Sequence, residues 1–354
     1  MGAHSNDILI GSYTERMPHV DGRGYGISHV AFDPATGELG EVQPLAATIN
    51  PSYLAVNRAG TLVAAALEVG EYDGVAGGAV ALYRRDPASG ALTLLATQST
   101  GGADACHVAF AADESFVVAA NYSGGSVAVF PVDGQDLDGS VLGARSALVQ
   151  HAGSGPNSDR QEGPHAHQVV VDPVTGNVLV ADLGLDAVFV YAIAASGSVV
   201  ERQRIALNPG SGPRHLAFAD GGAEFVVVGE LDGTVTRVRR KDDAFVVGET
   251  VRASVVGTSQ PAAVRFSGDR VLVANRGVDV VSTLEVADDF ALIADAPVAG
   301  RTPREFIVSA DGRFVIVASQ DDDLIVSYAF DRETGALAEV SRVVTESPVA
   351  LVLV

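Results

Sequence analysis

Histidines, arginines and acids recur at matching places along this chain, and their types suit acid–base chemistry on an anion. His165-Ala166-His167 sets two imidazoles two residues apart, the spacing that puts side chains on one face of a strand. Arg214-His215, Glu230, Arg276 and Arg304 follow downstream. An imidazole titrates near neutral pH and serves as a general base, whereas a guanidinium matches carboxylate or phosphate bidentately. Lys241 is the sole lysine among 23 basic residues, against 44 acids, and the net charge is −21. Arginines set at a few matching places in so acidic a chain mark a site for an anion. The His-x-His pair could also hold a metal with Asp182, Glu230, His107 or His215. No further ligand stands at characteristic spacing, however, and the expectation is a site without metal or cofactor.

The elements that must position these residues repeat. Seven short apolar segments open alike, at Pro51, Ala105, Pro164, Pro213, Pro261, Pro303 and Pro348, six of them marked by proline. Aligned at positions 54, 108, 168, 216, 264, 306 and 351, they are 54, 60, 48, 48, 42 and 45 residues apart. Each is followed by a turn and a β-branched run such as Phe116-Val117-Val118-Ala119-Ala120 or Phe314-Val315-Ile316-Val317-Ala318. Then come an alternating strand such as Leu324 to Tyr328 and a polar one such as Glu201 to Ile205. Short strands at this period predict an all-β fold, a seven-bladed β-propeller of four-stranded antiparallel blades, forming one domain over residues 1–354. Ile8 to Gly11 is a second-type strand with no opening strand before it, and Pro348 to Val354 is an opening strand with nothing after it. The C-terminal strand therefore completes the first blade and closes the ring.

Strand polarity then collects the polar residues. Consecutive strands run antiparallel, so the start of each first strand and the end of each second strand share one mouth of the central channel. Ser12, Glu68, Asn121, Asp182, Glu230, Asn275 and Ser319 end the second strands, followed by residues that include Tyr13, Tyr122, Arg276 and Gln320. Cys106, Arg214 and Arg304 share one starting position, and Tyr53, His107, His167, His215 and Glu305 the next. A single Asn or Ser in such a ring reads as solvated channel lining, and Cys106 as a small channel residue. The long connection His151 to Gly163 reaches the same mouth, either as a plain surface loop or as a flap that adds Arg160. A second irregular segment, Gly70 to Gly78, lies there too.

Bulk properties exclude several classes. Aromatics make up 6% with no Trp, against tryptophan-anchored propellers, and the single cysteine excludes an internal disulfide and fits a reducing compartment. The strongly acidic surface disfavours nucleic acid and anionic membranes as partners. No apolar stretch approaches the length of a membrane helix, and Met1 to Asp7 lacks the features of a signal peptide. The expectation is a cytoplasmic monomer or weak homo-oligomer.

Several stretches resemble the seven-bladed β-propeller lactonase family, typified by the propeller-type 6-phosphogluconolactonase, with carboxymuconate cyclase as a relative. They are His151-x-Gly-Ser-Gly through Arg160-Gln161 to Pro164-His165-x-His167, Asp182-Leu183-Gly184-x-Asp186, Gly212-Pro213-Arg214-His215 with Glu230-Leu231, Ala274-Asn275-Arg276, and Thr302-Pro303-Arg304-x-Phe306. The chain departs from the family pattern with Ser319-Gln320 in the seventh blade and a third blade that opens without proline. The resemblance implies a cofactor-free enzyme acting on a small anionic sugar-acid or muconate lactone. It maps a histidine, arginine, glutamate and arginine pattern onto His165 or His167, Arg214, Glu230 and Arg276. In opening a lactone such as 6-phosphogluconolactone, a histidine would activate water and Arg214 would hold the oxyanion. Glu230 would orient Arg214 or shuttle a proton. Arg276, Arg304 and Arg160 would bind the distal anion, with His215, Asp182, Asn121 and Gln320 completing the substrate site. The alternatives are a lactonising or cycloisomerising enzyme on a carboxylated diene, and a non-catalytic propeller that binds a small anion or a protein.

Overall fold

Apolar runs of five to eight residues, broken by tight polar turns, fold here as antiparallel strands that pair in fours. The structure is a computed structural model and describes residues 7–133, 141–286 and 290–354. Seven four-stranded sheets follow one another around a central channel. Blades 2 to 7 take their inner strands from Pro51–Val56, Ala105–Phe110, Ala166–Val171, Pro213–Phe218, Gln260–Ser267 and Pro303–Val308, and continue outward in chain order. Blade 1 is composite. Its inner strand is Pro348–Leu353, paired with Asp7–Ser12, so the ring is closed by the end of the chain. Ile8, Ile10 and Leu351 of that blade pack against Ile307, Phe314 and Ile316 of blade 7, burying the seam.

Turn chemistry explains much of the local order. Asp33, Asp86, Asp172 and Asp331 each accept the amide two residues on, at 2.8 to 3.0 Å. Each is followed four residues later by a glycine at positive φ, an Asx turn that reverses the chain without a long loop.

One irregularity recurs in all seven blades and matters most. Near the start of each inner strand the register slips by one residue, as in Ala105↔Asn121 followed by His107↔Ala120. The extra residues are Val349, Ser52, Cys106, His167, Arg214, Ala262 and Arg304. A bulge of this kind re-aims a side chain that regular pleating would send elsewhere.

The register corrects the alignment expected for blade 4. Its inner strand begins at Ala166, which pairs with Asp182, and Val169 faces Val180 as Val108 faces Ala119. The equivalent position is therefore 169 rather than 168. His167 belongs in the bulge with Cys106, Arg214 and Arg304, and Gln168 takes the place beside His107 and His215. Pro164 misled because it belongs to the preceding connection, two residues outside the strand.

Candidate active site

Bulges and second-strand ends together build one mouth of the channel. The residue just past each second-strand pair is Tyr13, Glu68, Tyr122, Leu183, Glu230, Arg276 or Gln320, and six of these seven are polar. Of these, Glu68, Tyr122, Glu230, Arg276 and Gln320, with His167 and Arg304 from the bulges and Arg160 from the flap, surround a cavity of about 650 Å³. Arg214, His215 and Glu305 line the narrow neck beneath it.

Glu230 is the electrostatic centre. Its Oε1 accepts from Arg160 Nη2 at 2.7 Å, and its Oε2 accepts from Arg276 Nη2 at 2.6 Å. Arg214 Nε lies 3.2 Å from Oε2. Burial alone would raise the carboxyl pKa, but Arg276, Arg214 and Arg160 hold it well below the usual carboxylate range. Arg214 is 2% exposed; its Nε faces Glu230, and its Nη1 lacks a hydrogen-bond partner. Burial, with Arg276 and Arg304 nearby, lowers its pKa to about 9. A buried guanidinium with unfilled donors favours an oxygen anion placed against it. Arg304 completes the set from blade 7: its Nη2 donates to the Tyr13 hydroxyl at 3.0 Å, and Tyr13 donates to Glu68 at 2.8 Å.

The histidines separate into two groups. His167 is 7% exposed and lines the cavity with Nδ1 unpartnered. Burial and then Arg214 push its pKa well below 6.5, so the imidazole is neutral at neutral pH. His215 and His107 lie deeper, with ring centroids 5.4 and 5.5 Å apart along the row from His167, and burial lowers the pKa of both likewise. His165 sits outside the strand instead, stacked on Tyr122 at 4.6 Å with Nδ1 donating to the Tyr122 carbonyl. The two members of the His-x-His pair thus occupy different structures. Among the described residues no three His, Cys, Asp or Glu side chains are arranged to hold a metal ion.

The connection from His151 to Gly163 is the flap that delivers Arg160. Asp182 ties down both its ends: Oδ2 accepts from His151 Nδ1 at 2.6 Å and Oδ1 from the His165 amide at 2.8 Å. Tyr191 donates to His151 Nε2 at 2.9 Å. Gln161, fully buried, donates to the Leu183 carbonyl and to Asp186, each at 2.8 Å. Asp186 also accepts the amides of Gly210 and Gly212, just ahead of Arg214. Gly184 must be glycine, because a Cβ there would lie 1.9 Å from the Gly163 carbonyl oxygen.

His167, Glu230, Arg276, Arg304, Arg160 and Gln320 therefore line one cavity, with Arg214 and His215 at its floor. Asp182 and Asn121 do not line it. Asp182 is spent on the flap, and Asn121 is fully buried, donating to Ser126 within blade 3. Sequence reasoning missed the roof. Between the first two strands of blade 1 that the chain itself supplies in order, a hairpin of Arg16–Met17 and Val20–Asp21 carries Met17, Pro18 and His19 over the cavity. Partial burial, Arg304 and Arg276 bring His19 down to about 4. Its signal was the long stretch between Ser12 and Gly26.

Comparison with known proteins identifies the family. The family model described as lactonase, 7-bladed beta-propeller, matches residues 7–353. A 6-phosphogluconolactonase of Bacillus subtilis is 32% identical over 338 residues, covering 93% of this chain and 92% of that protein. One from Formosa agariphila is 25% identical over 348 residues, covering 95% of each. The structure of a periplasmic gluconolactonase from Pseudomonas aeruginosa superposes with a TM-score of 0.88 at 29% identity, covering 99% of each chain. The chain belongs to the seven-bladed β-propeller lactonase family.

Proposed function

We propose that this protein hydrolyses a small anionic sugar lactone, 6-phosphogluconolactone first among the candidates. The observation that carries the reading is the pairing at the cavity floor of a neutral His167, with Nδ1 free, and a buried Arg214, with Nη1 unfilled. His167 takes a proton from a water, and the resulting hydroxide adds to the lactone carbonyl carbon. Arg214 holds the tetrahedral oxyanion. As the ring C–O bond breaks, the imidazolium returns its proton to the departing ring oxygen, and the product is a hydroxy acid. Glu230 stays ionised throughout, so it orients the guanidiniums rather than carrying a proton. Arg304, Arg276 and Arg160 bind the distal phosphate. The names of the relatives from B. subtilis and F. agariphila support that choice of substrate. The reading includes a cytoplasmic location, supported by the lone, unpaired Cys106.

The test is hydrolysis of freshly prepared 6-phosphogluconolactone followed by pH-stat against the spontaneous rate. Wild type should exceed the blank, and Arg214→Ala should lose about 10²–10³-fold. Gluconolactone without phosphate should show a raised KM. A wild-type rate equal to the blank would remove this reading, and consumption of a carboxylated diene instead would support a lactonising enzyme.

A further inference from the structure

The channel has a second mouth, at the far ends of the inner strands, and its lining is unlike the first. Past the bulges, the residue facing the channel in each blade is Ala55, Ala109, Val170, Ala217, Arg265, Ile307 or Val352. Six are apolar and one is a cation. They surround a funnel of about 610 Å³, separated from the catalytic mouth by a neck of about 10 Å³.

His107 stands at the narrow end of this funnel. It is 3% exposed, yet neither Nδ1 nor Nε2 has a hydrogen-bond partner. Its ring stacks on Tyr53 at 3.6 Å. A buried imidazole with both nitrogens unfilled carries a desolvation cost that a bound group would relieve. Beyond burial, the groups acting on His107 are Arg265 and Arg214, both disfavouring a further positive charge. The nearby carboxylate Glu305 is already engaged, accepting from Arg265 at 2.8 Å and from the Phe306 amide at 2.9 Å.

We propose that the second mouth is a binding site for a small monocarboxylate with an apolar body. The carboxylate meets His107 and Arg265, and the hydrocarbon lies along Ala55, Ala109, Val170 and Ala217. Of the other polar residues in the lining, Arg58 donates to the Ala112 carbonyl, Glu114 accepts the Arg58 amide and Gln168 accepts the Leu216 amide, so the two mouths select different chemistry. This inference is independent of the reaction proposed for the first mouth.

Calorimetric titration of the full chain with acetate, butyrate and hexanoate at constant ionic strength tests it. Saturable binding should strengthen about fourfold per added methylene as hydrocarbon is buried, and the His107 ring resonances, assigned with His107→Phe, should move. Ala109→Phe, which fills the funnel, should abolish hexanoate binding, and Ala217→Phe gives the same test should the first variant fail to fold. Arg276→Ala should leave it intact. Absence of saturable hexanoate binding, affinity independent of chain length, or binding lost in Arg276→Ala but kept in the funnel variants would each overturn the proposal.

Discussion

Asp182 accepts a 2.6 Å hydrogen bond from His151 Nδ1 while its other oxygen takes the amide of His165, so one buried carboxylate holds both ends of the flap. The flap in turn brings Arg160 to within 2.7 Å of Glu230. A residue that looked like part of the substrate site from its place in the repeat is instead the fastening of a loop that contributes to it.

Asp182→Asn and His151→Ala are therefore expected to act through Arg160. Each should raise KM for the anionic lactone by roughly 10–100-fold, the worth of one charge-assisted hydrogen bond, with a smaller change in kcat. In an Arg160→Ala background the same substitutions should add little to KM. Steady-state kinetics on the four proteins of each double-mutant cycle decide this. A full additional loss in the Arg160→Ala background would show that the network supports the whole mouth instead.

Glu230→Gln separates orientation from proton transfer. Removing the charge leaves Arg160, Arg214 and Arg276 facing one another, and breaking such a buried set costs about 3–5 kcal/mol of stability, readable by urea unfolding. Activity should fall by about 10²-fold or more. The pH at which kcat/KM begins to fall should move down rather than up, since the Glu230 charge favours the His167 imidazolium and its loss leaves the neighbouring arginines to disfavour it further.

With His167 as the proposed base, the acid limb of the rate is expected to follow its titration. Its folded pKa lies well below 6.5, because burial and Arg214 disfavour the imidazolium. The base form therefore persists as pH drops, and kcat/KM should stay level from pH 8 through 6.5 and decline only well below. A half-maximal rate at 6.5 or above would contradict the assignment.

Stability should respond to the same histidines with a fixed sign. His107, His167 and His215 all have depressed folded values, so the unfolded chain takes up protons below about 6.5 that the folded protein refuses. Their contribution is whole above that pH and is lost as pH falls toward the folded values, at about 1.4 kcal/mol per pH unit for each histidine. Glu68 and Glu305, raised by burial, act in the opposite sense, so the difference between proteins is the clean measure. His107→Phe should reduce the slope of unfolding free energy against pH by one histidine's share between pH 6.5 and 5.5.

Deleting residues 348–354 removes the inner strand of blade 1 and exposes Asp7–Ser12 along its length. Loss of a cooperative thermal transition is expected, and an unchanged melting curve would refute the closure's contribution.

What the sequence by itself determined is periodic. Apolar runs, turn residues and their recurrence specify seven four-stranded blades, and strand polarity places Arg214, Glu230, Arg276, Arg304 and His167 at one mouth. What only the tertiary structure decided depends on single-residue register and on long-range contacts. A one-residue bulge turns His167, rather than His165, into the channel beside Arg214. Pro164 resembled a strand start, although Asp182, far along the chain, fixes that segment as the end of a flap. The emptiness of His107's nitrogens, the partnering of Glu230 by three arginines from separate segments, and the His19 roof have no local signature. Each arises where distant blades converge on the axis, and period alone carries no information about which side chains meet there.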